Sequence, residues 1–325
     1  MLMRAIVLKD GDPIPRLEER ELDMPTAGPG NLLVRVSAAG LNRAGLTSPR
    51  RSGHAAHPLG IPGGELSGVV TEVGPGVDGF AIGDRVMALA NGSYAQYAVF
   101  DHRLAVHVPA RVDMLTAAAL PVWYMTAHDA IVTEGALTSG ETLLVQGATS
   151  GVGMAAAQIA RHLGCARVIG IGRSAEKLSR LDFYSDTLVA TPDWAEQARA
   201  LTGGKGADLI LDLVGGGALG GNLEAAALGG RIVAAGRLGG QGDTLDINKL
   251  AMKRLRLIGV SFRTRTVEQK ADIARAFARD VLPAIADGTI VPRIDRAFPM
   301  HEAHLAQDYL RNESPLGKVV LGIDL

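Results

Sequence analysis

The chain has 325 residues, of which 47% are hydrophobic and 21% charged, and its formal net charge is −1. This length favours two domains over one core, and the balanced charge provides no basic face for nucleic acid or for an anionic membrane. Early charged residues argue against a signal-peptide segment, and the single cysteine excludes an internal disulfide, so a cytoplasmic protein is expected.

The first part of the chain, up to Leu120, is predicted to be rich in β-strands and to form a closed or nearly closed small barrel. Short apolar or alternating segments are separated by turns that contain glycine, proline or asparagine. The predicted strands are 5–8, 31–38, 66–73, 84–90 and 94–100.

From Pro121 the pattern changes, because apolar runs now alternate with helical segments, as in a doubly wound parallel sheet. The apolar stretch 115–132 contains a proline and charged or polar residues, so it is predicted to be a buried helix. The predicted strands are 142–146, 167–171, 186–190, 208–213, 231–235 and 256–260, and the helices between them are 154–163, 175–180, 194–201 and 219–227.

The last part is predicted to contain helices over 267–285 and 301–311 and a final strand over 318–321. The barrel lacks an obvious closing strand, so we expect this tail to return to it. The predicted fold class is therefore α/β. A parallel-sheet domain (residues 122–263) is inserted into a β-rich domain (residues 1–121 and 264–325).

A glycine-rich turn joins the first strand of the parallel sheet to its helix. Such a turn directs backbone N–H groups and the positive end of the helix at one point, where a phosphate binds. Gly151 and Gly153 would let a pyrophosphate approach the backbone and let the helix pack against the strand. An ordinary tight turn is the alternative at this stage.

Cofactor choice is indicated at the end of the second strand. In an NAD site an acidic residue about twenty positions after the glycines binds the ribose, but here Gly172 is followed by Arg173, 20 residues after Gly153. Arg173, Ser174 and Lys177 suit a 2′-phosphate, which favours NADPH. A ribose contact from Glu176, or simply solvated surface charges, remain the alternatives.

The loops after the fourth and fifth strands are also rich in glycine. Ligands of open α/β sheets bind outside the carboxyl ends of the strands, so these loops are placed to line the nicotinamide half of the cofactor. The residues concerned include Val214, Gly236 and Arg237. Ordinary turn chemistry explains the glycines equally well.

No metal site is expected. The pairs His54/His57 and His301/His304 are each spaced by three residues but have no third partner nearby. Cys165 is interpreted as a small buried residue.

Six motifs occur in an order that resembles the zinc-independent branch of the medium-chain dehydrogenase/reductases, specifically NADPH:quinone oxidoreductases of the zeta-crystallin type. They are 40–44, 63–74, 83–86, 92–97, 147–153 and 316–321. The resemblance implies a GroES-like domain with an inserted Rossmann domain, and a homodimer joined at the edge strand near 256–262. Zinc-dependent relatives carry a cysteine within the segment matching 39–42 and a histidine at the position of Gly64, and both are absent here.

The resemblance also implies roles for individual residues. Asn42 and Thr126 would contact the nicotinamide or the substrate, Lys318 a distal part of the cofactor, and Phe262 and Arg263 the cofactor or the partner subunit. The pyrophosphate would be held by Thr149, Ser150, Gly151, Val152 and Gly153, and the 2′-phosphate by Arg173, Ser174 and Lys177.

Without a metal, the expected reaction is hydride transfer from NADPH to a quinone or a conjugated enone, with positioning as the main source of rate. Reduction of an enoyl thioester or other alkene, and NADPH binding with little turnover, remain alternatives. Tyr94 is a candidate proton donor, with Tyr97 nearby, although solvent would serve as well. The loop 47–57 is expected to border the substrate, and its two arginines suit an anionic or polar group, although a solvated flexible loop explains them equally well.

Overall fold

The computed structural model describes residues 1–9, 16–46 and 60–323 and divides into two compact units. The first unit comprises 1–125, 263–288 and 292–325, and the second comprises 126–262 and 289–291. Because the second unit interrupts the first in sequence, the predicted insertion is confirmed. Residues 122–125, assigned from sequence to the parallel-sheet domain, belong to the first unit, where the Val122 N–H donates to Glu65 Oε2 at 2.7 Å.

The strands in the described ranges, in chain order, are β1 (Leu2–Lys9), β2 (Arg16–Asp23), β3 (Asn31–Gly40), β4 (Leu66–Val73), β5 (Arg85–Ala88), β6 (Tyr97–Asp101), β7 (Ala105–His107), β8 (Thr142–Gln146), β9 (Arg167–Gly172), β10 (Asp186–Val189), β11 (Ala207–Asp212), β12 (Ala226–Ala234), β13 (Arg256–Gly259), β14 (Ile294–Pro299) and β15 (Lys318–Gly322).

The α-helices there are α1 (Arg43–Leu46), α2 (Met114–Ala118), α3 (Pro121–His128), α4 (Gly151–His162), α5 (Ala175–Leu178), α6 (Trp194–Leu201), α7 (Leu219–Ala225), α8 (Ile247–Met252), α9 (Val267–Asp280), α10 (Leu282–Ala286) and α11 (Ala303–Asn312). A π-helical segment, Asp129–Glu134, follows α3, and 3-10 turns occur at His102–Leu104, Phe262–Thr264 and Met300–Glu302. No helix in the described ranges has the length and apolar character needed to cross a membrane.

The first unit contains a sheet with the strand order β14-β15-β3-β4-β5-β7, and β6 pairs with β3. β15 runs antiparallel to β3, with Val320 opposite Gly40, which confirms that the C-terminal tail returns to this unit. The hairpin β1–β2 joins it through a bridge between Ala5 and Ala95. In the part of the chain that the structure describes, this sheet is an open path from β14 to β7, where the sequence predicted a closed or nearly closed barrel.

The second unit is built on six parallel strands in the order β10-β9-β8-β11-β12-β13. The order reverses between β8 and β11, so the carboxyl ends of these two strands flank the crevice where such sheets bind ligands. The buried side chains of Leu144, Ile169, Ile210 and Ile232, one from each central strand, form its core with residues of α6 and α7. The doubly wound parallel sheet is therefore confirmed.

Two predicted helices are broken. The segment 267–285 forms α9 and α10, separated at Val281, where φ is −117°. Pro283 lies at the start of α10 and has no N–H to donate to the preceding turn, which explains the interruption. The stretch 115–132 forms α2, α3 and most of the π-helical segment, and Pro121 begins α3 as a first-turn residue.

Candidate functional site

The turn between β8 and α4 is held in place by backbone bonds to the neighbouring strand. The N–H groups of Gly147 and Ala148 both donate to Ile171 O, at 3.0 and 2.9 Å. Gly147 has φ +78°, a conformation that favours glycine. A Cβ at Gly153 would lie 2.6 Å from Gly147 O, so only glycine lets α4 begin this close to the strand.

The beginning of α4 offers donors to an anion. Ser150 is the N-cap, and its Oγ accepts from Gly153 N at 3.2 Å. The other N–H groups of the first turn have no partner within a helix, so those of Gly151 and Val152 are available at the positive end of a twelve-residue helix. Thr149, Ser150, Gly151 and Val152 are half-buried, so a ligand can reach the backbone here. The turn therefore fits a pyrophosphate.

The end of β9 brings together the three residues expected to bind a 2′-phosphate. Gly172 is buried, Arg173 is exposed, and Ser174 caps α5 by accepting from Lys177 N at 3.2 Å. Ser174 and Lys177 are half-buried. These residues supply a guanidinium (Arg173), a hydroxyl (Ser174) and an ammonium (Lys177) within five positions of the chain. Groups of these types donate charge-assisted and neutral hydrogen bonds to phosphates. Glu176, the residue that would favour NAD, is exposed on α5 and leaves this donor set unchanged.

A buried polar network holds the loop after β11. Asp212 Oδ1 accepts from the N–H groups of Val214 and Gly215 at 2.8 and 2.9 Å. Asn222 Nδ2 donates to Asp212 Oδ2 at 3.0 Å, and Gln146 Nε2 donates to Asn222 Oδ1 at 3.1 Å. Burial raises the pKa of the Asp212 carboxyl, while the hydrogen bonds from the loop oppose that shift. This network was not found from the sequence, although an aspartate just before three glycines was a signal for it.

The loops after β11 and β12 pack backbone against backbone. Gly216 N donates to Gly240 O at 3.1 Å, and a Cβ at Gly236 would lie 2.2 Å from Leu213 O. The glycines predicted to line the nicotinamide are therefore required for the two loops to meet. Val214 is half-buried and Arg237 is exposed at this end of the sheet.

Three further sequence candidates lie at the unit boundaries. Thr126, at the start of the second unit, is half-buried on α3. Phe262 is half-buried and ends the main segment of the second unit, and Arg263 is exposed and resumes the first.

The first unit contains a cluster formed by the buried side chains of Glu65 and Lys318 and the half-buried side chains of Asn42 and Trp123. Glu65 and Lys318 are both fully buried, with Nζ and Oε1 2.5 Å apart. Lys318 Nζ also donates to Asn42 Oδ1 at 2.9 Å and lies 4.3 Å from the centre of the Trp123 ring. A Cβ at Gly40 would lie 2.5 Å from Glu65 Oε1, so the close approach of the strand requires glycine.

The cluster fixes the orientation of the Asn42 carboxamide. Asn42 Nδ2 donates to Glu65 Oε1 at 2.6 Å while its Oδ1 accepts from Lys318, so a flipped amide would place like groups against each other. Half-buried Asn42 therefore keeps one N–H and one oxygen lone pair for another partner. Lys318, expected to contact the cofactor, lies in the interior with its ammonium bound to Glu65 and Asn42.

Tyr94 is close to the same carboxylate. Its side chain is buried, and burial together with the charge of Glu65 raises the pKa of the phenol well above its ordinary value. The hydroxyl therefore stays protonated at neutral pH and is a weak acid. Tyr97, the second candidate, is half-buried in β6.

The remaining sequence candidates are peripheral. His301 and His304 are exposed, and burial raises the pKa of the half-buried Cys165 thiol to about 11. The pair His54/His57 and the loop 47–57 lie outside the described residues. Among the described residues, no three His, Cys, Asp or Glu side chains are grouped to hold a metal.

The parallel sheet with its phosphate-type turn, and the β-rich unit that it interrupts, define a Rossmann-type nucleotide-binding fold combined with a GroES-like domain. A family model described as "Zinc-binding dehydrogenase" matches residues 151–278, and one described as "Alcohol dehydrogenase GroES-like domain" matches residues 28–110. The chain belongs to the medium-chain dehydrogenase/reductase family, as the full-length relatives below show.

Two relatives align over nearly their whole length. A 2-haloacrylate reductase from Burkholderia sp is 30% identical over 99% of both chains, and a quinone oxidoreductase from Rattus norvegicus is 30% identical over 98% of both. The spectinabilin polyketide synthase system protein NorB from Streptomyces orinoci is 34% identical over 90% of this chain, which spans 13% of that protein.

Solved structures agree with this assignment. A mycobacterial quinone oxidoreductase superimposes with a TM-score of 0.87 at 30% identity, covering 99% of this chain and 100% of the other. A mycobacterial protein in complex with NADPH superimposes with a TM-score of 0.84, also at 30% identity and with the same coverage. The protein is therefore an oxidoreductase of the medium-chain dehydrogenase/reductase family.

Proposed function

We propose that the protein transfers a hydride from NADPH to a quinone or a conjugated enone without a metal ion. The observation that carries the proposal is the donor set at the end of β9, where Arg173, Ser174 and Lys177 stand in place of the acidic residue typical of NAD sites. The NADPH complex of a similar structure supports the choice of cofactor. Quinone oxidoreductases among the relatives support the choice of acceptor.

NADPH, when bound, supplies the hydride. The N–H groups of Thr149, Gly151 and Val152 would hold its pyrophosphate, with Ser150, whose own N–H donates to Gly147 O, as the helix cap. Arg173, Ser174 and Lys177 would hold its 2′-phosphate. The loops that carry Val214 and Gly236 exclude water from the nicotinamide, and Thr126 is proposed to contact it. Much of the rate then comes from holding donor and acceptor in a reactive geometry.

Asn42 is proposed to stabilise the negative charge that develops on the acceptor oxygen. Glu65 and Lys318 fix its carboxamide, and its remaining N–H is the donor. A donor that is already oriented does not have to reorganise during the reaction. Because the pKa of Tyr94 is raised, we assign the final proton to solvent.

We also propose that the protein is a homodimer joined through β13. This strand is at the edge of the described parallel sheet, and its Leu257 is 44% exposed. An exposed edge strand with apolar side chains can pair with a strand of a second chain.

The decisive assay follows NADPH oxidation with a simple ortho- or para-quinone, with and without a chelator. We expect turnover that the chelator does not change. In Arg173→Glu the KM for NADPH should rise about tenfold to a hundredfold, because a charge-assisted hydrogen bond contributes about 1.5–3 kcal/mol. Arg279→Glu, an equal change of charge at an exposed arginine of α9, is the control. An unchanged preference for NADPH over NADH in Arg173→Glu would refute the cofactor assignment.

A second candidate function is the reduction of an enoyl thioester or another polarised alkene. The 2-haloacrylate reductase among the relatives favours it. Turnover of crotonyl-CoA well above that of any quinone would select this function. Saturable NADPH binding without oxidation across both sets of acceptors would instead indicate a binding protein.

A further inference from the structure

Tyr184 is a buried tyrosine whose hydroxyl lies beneath the phosphate-binding turn. Its Oη is 3.0 Å from Ala148 O and 3.0 Å from Gly153 O, so the single proton is shared between the two carbonyls. One carbonyl belongs to the turn and the other to the first part of α4. The hydroxyl thus connects the two backbone segments that flank the expected pyrophosphate.

The sequence makes room for this contact at Gly170, in the middle of β9. A Cβ at Gly170 would lie 2.8 Å from Tyr184 Cδ1 and 3.0 Å from the Ala148 Cβ. The absence of a side chain lets the ring lie against the strand directly below the turn. Burial keeps the pKa of the phenol well above its ordinary value, so the hydroxyl remains a donor at every working pH.

The direction of these bonds determines what the turn presents to a ligand. In a trans peptide the C=O and N–H groups point in opposite directions. Because Ala148 O is directed at the buried hydroxyl, the N–H of Thr149 in the same peptide unit points away from the interior. An anion at the turn then meets a donor rather than the negative end of a carbonyl dipole.

We propose that Tyr184 is a positioning residue for dinucleotide binding, since it holds the Ala148 carbonyl inward, which directs the Thr149 N–H at the pyrophosphate, and ties that carbonyl to Gly153 O at the beginning of α4. The inference rests on the proposed function, because it assumes that this turn binds the pyrophosphate of NADPH. It assigns Tyr184 no contact with the cofactor.

The test is Tyr184→Phe, which keeps the ring against Gly170 and removes only the hydroxyl. We expect the Kd for NADPH to rise about fivefold to tenfold. Binding of 2′-AMP, which carries the 2′-phosphate but no pyrophosphate, should not change. Tyr309→Phe is the matched control, because it removes a tyrosine hydrogen bond, to Asp295, in the first unit.

Hydrogen exchange of the nucleotide-free protein gives a second readout. Tyr184→Phe should speed amide exchange at Thr149 to Gly153 and leave the amides of β9 unchanged. An unchanged Kd for NADPH, equal weakening of NADPH and 2′-AMP, or unchanged exchange in the turn would each overturn the inference. If the wild-type protein does not bind NADPH, the proposed function fails, and the exchange experiment still decides whether Tyr184 orders the turn.

Discussion

The ion pair between Glu65 and Lys318 makes a sharp prediction about Lys318→Met. Both side chains are fully buried, so among the described residues the substitution leaves the carboxylate with Asn42 Nδ2 and the Val122 N–H as its hydrogen-bond donors. Removing one partner of a buried pair costs about 3–5 kcal/mol, because the remaining charge is left without compensation. We therefore expect the free energy of unfolding of the first unit to fall by that amount.

The double variant Glu65→Gln/Lys318→Met separates charge from packing. It removes both charges and keeps an amide that can accept from Asn42, so it should recover more than half of the loss. Lys249→Met is the matched control, because its ion pair with Glu224 is exposed by 39% and 43% at the two side chains. Such a pair contributes about 0.2–1 kcal/mol.

The assay is denaturant unfolding, read by tryptophan fluorescence. Each unit contains one of the two tryptophans, Trp123 in the first and Trp194 in the second. A Trp194→Phe background makes Trp123 the reporter for the unit that holds the ion pair, which matters because two units need not unfold in one step. A cost below about 1 kcal/mol for Lys318→Met, or a double variant no more stable than the single one, would refute the reasoning.

Two further predictions concern titratable groups of the second unit whose pKa is raised by burial, half-buried Cys165 and buried Asp212. The pKa of the Cys165 thiol is raised from 9.0 to about 11, so its contribution to stability is complete below pH 9 and is lost as the pH rises towards 11. In Cys165→Ser the melting temperature should fall less steeply between pH 9 and pH 11 than in the wild-type protein. The same pH dependence in both proteins would show that Cys165 is not responsible for the fall. For Asp212, burial raises the pKa, so charge is costly at neutral pH. In Asp212→Asn the carboxamides of Asn222 and Gln146 can both flip and keep their hydrogen bonds, so the free energy of unfolding should fall by less than about 1 kcal/mol. In Asp212→Ala these bonds are lost, and the free energy of unfolding should fall by about 1–3 kcal/mol. Denaturant unfolding measures both values, and an equal loss of stability in the two variants would contradict this explanation.

The parallel sheet was predictable because its strands are short apolar runs that each lead into a turn. Thr142–Gln146 and Trp194–Leu201 match the predicted bounds, since both are delimited by strong local signals. β2 was missed, because Arg16–Asp23 is charged and pairs with β1 through its backbone, which leaves no apolar pattern to detect.

The candidate site likewise has parts that the sequence could predict and parts that it could not. The glycine-rich turn before α4 and the residues after β9 are local motifs, so their spacing alone made them candidates for the site. The contact between Lys318 and Glu65 joins residues 253 positions apart, and sequence reasoning places charged residues at the surface. Tyr184 lies just before β10 and belongs to none of the motifs in the sequence. Only the folded chain shows that its hydroxyl meets two carbonyls of the turn.

The interrupted order of the chain has a consequence for its synthesis. Asn42 and Glu65 are synthesised before the second unit, and Lys318, on β15, is synthesised after it. Until then the Glu65 carboxylate has no counter-ion and must stay in water, since a buried charge without a partner is unstable. Residues 126–262 form most of the second unit in one uninterrupted stretch, so this unit can complete its fold before Lys318 is available to neutralise Glu65 in the first unit.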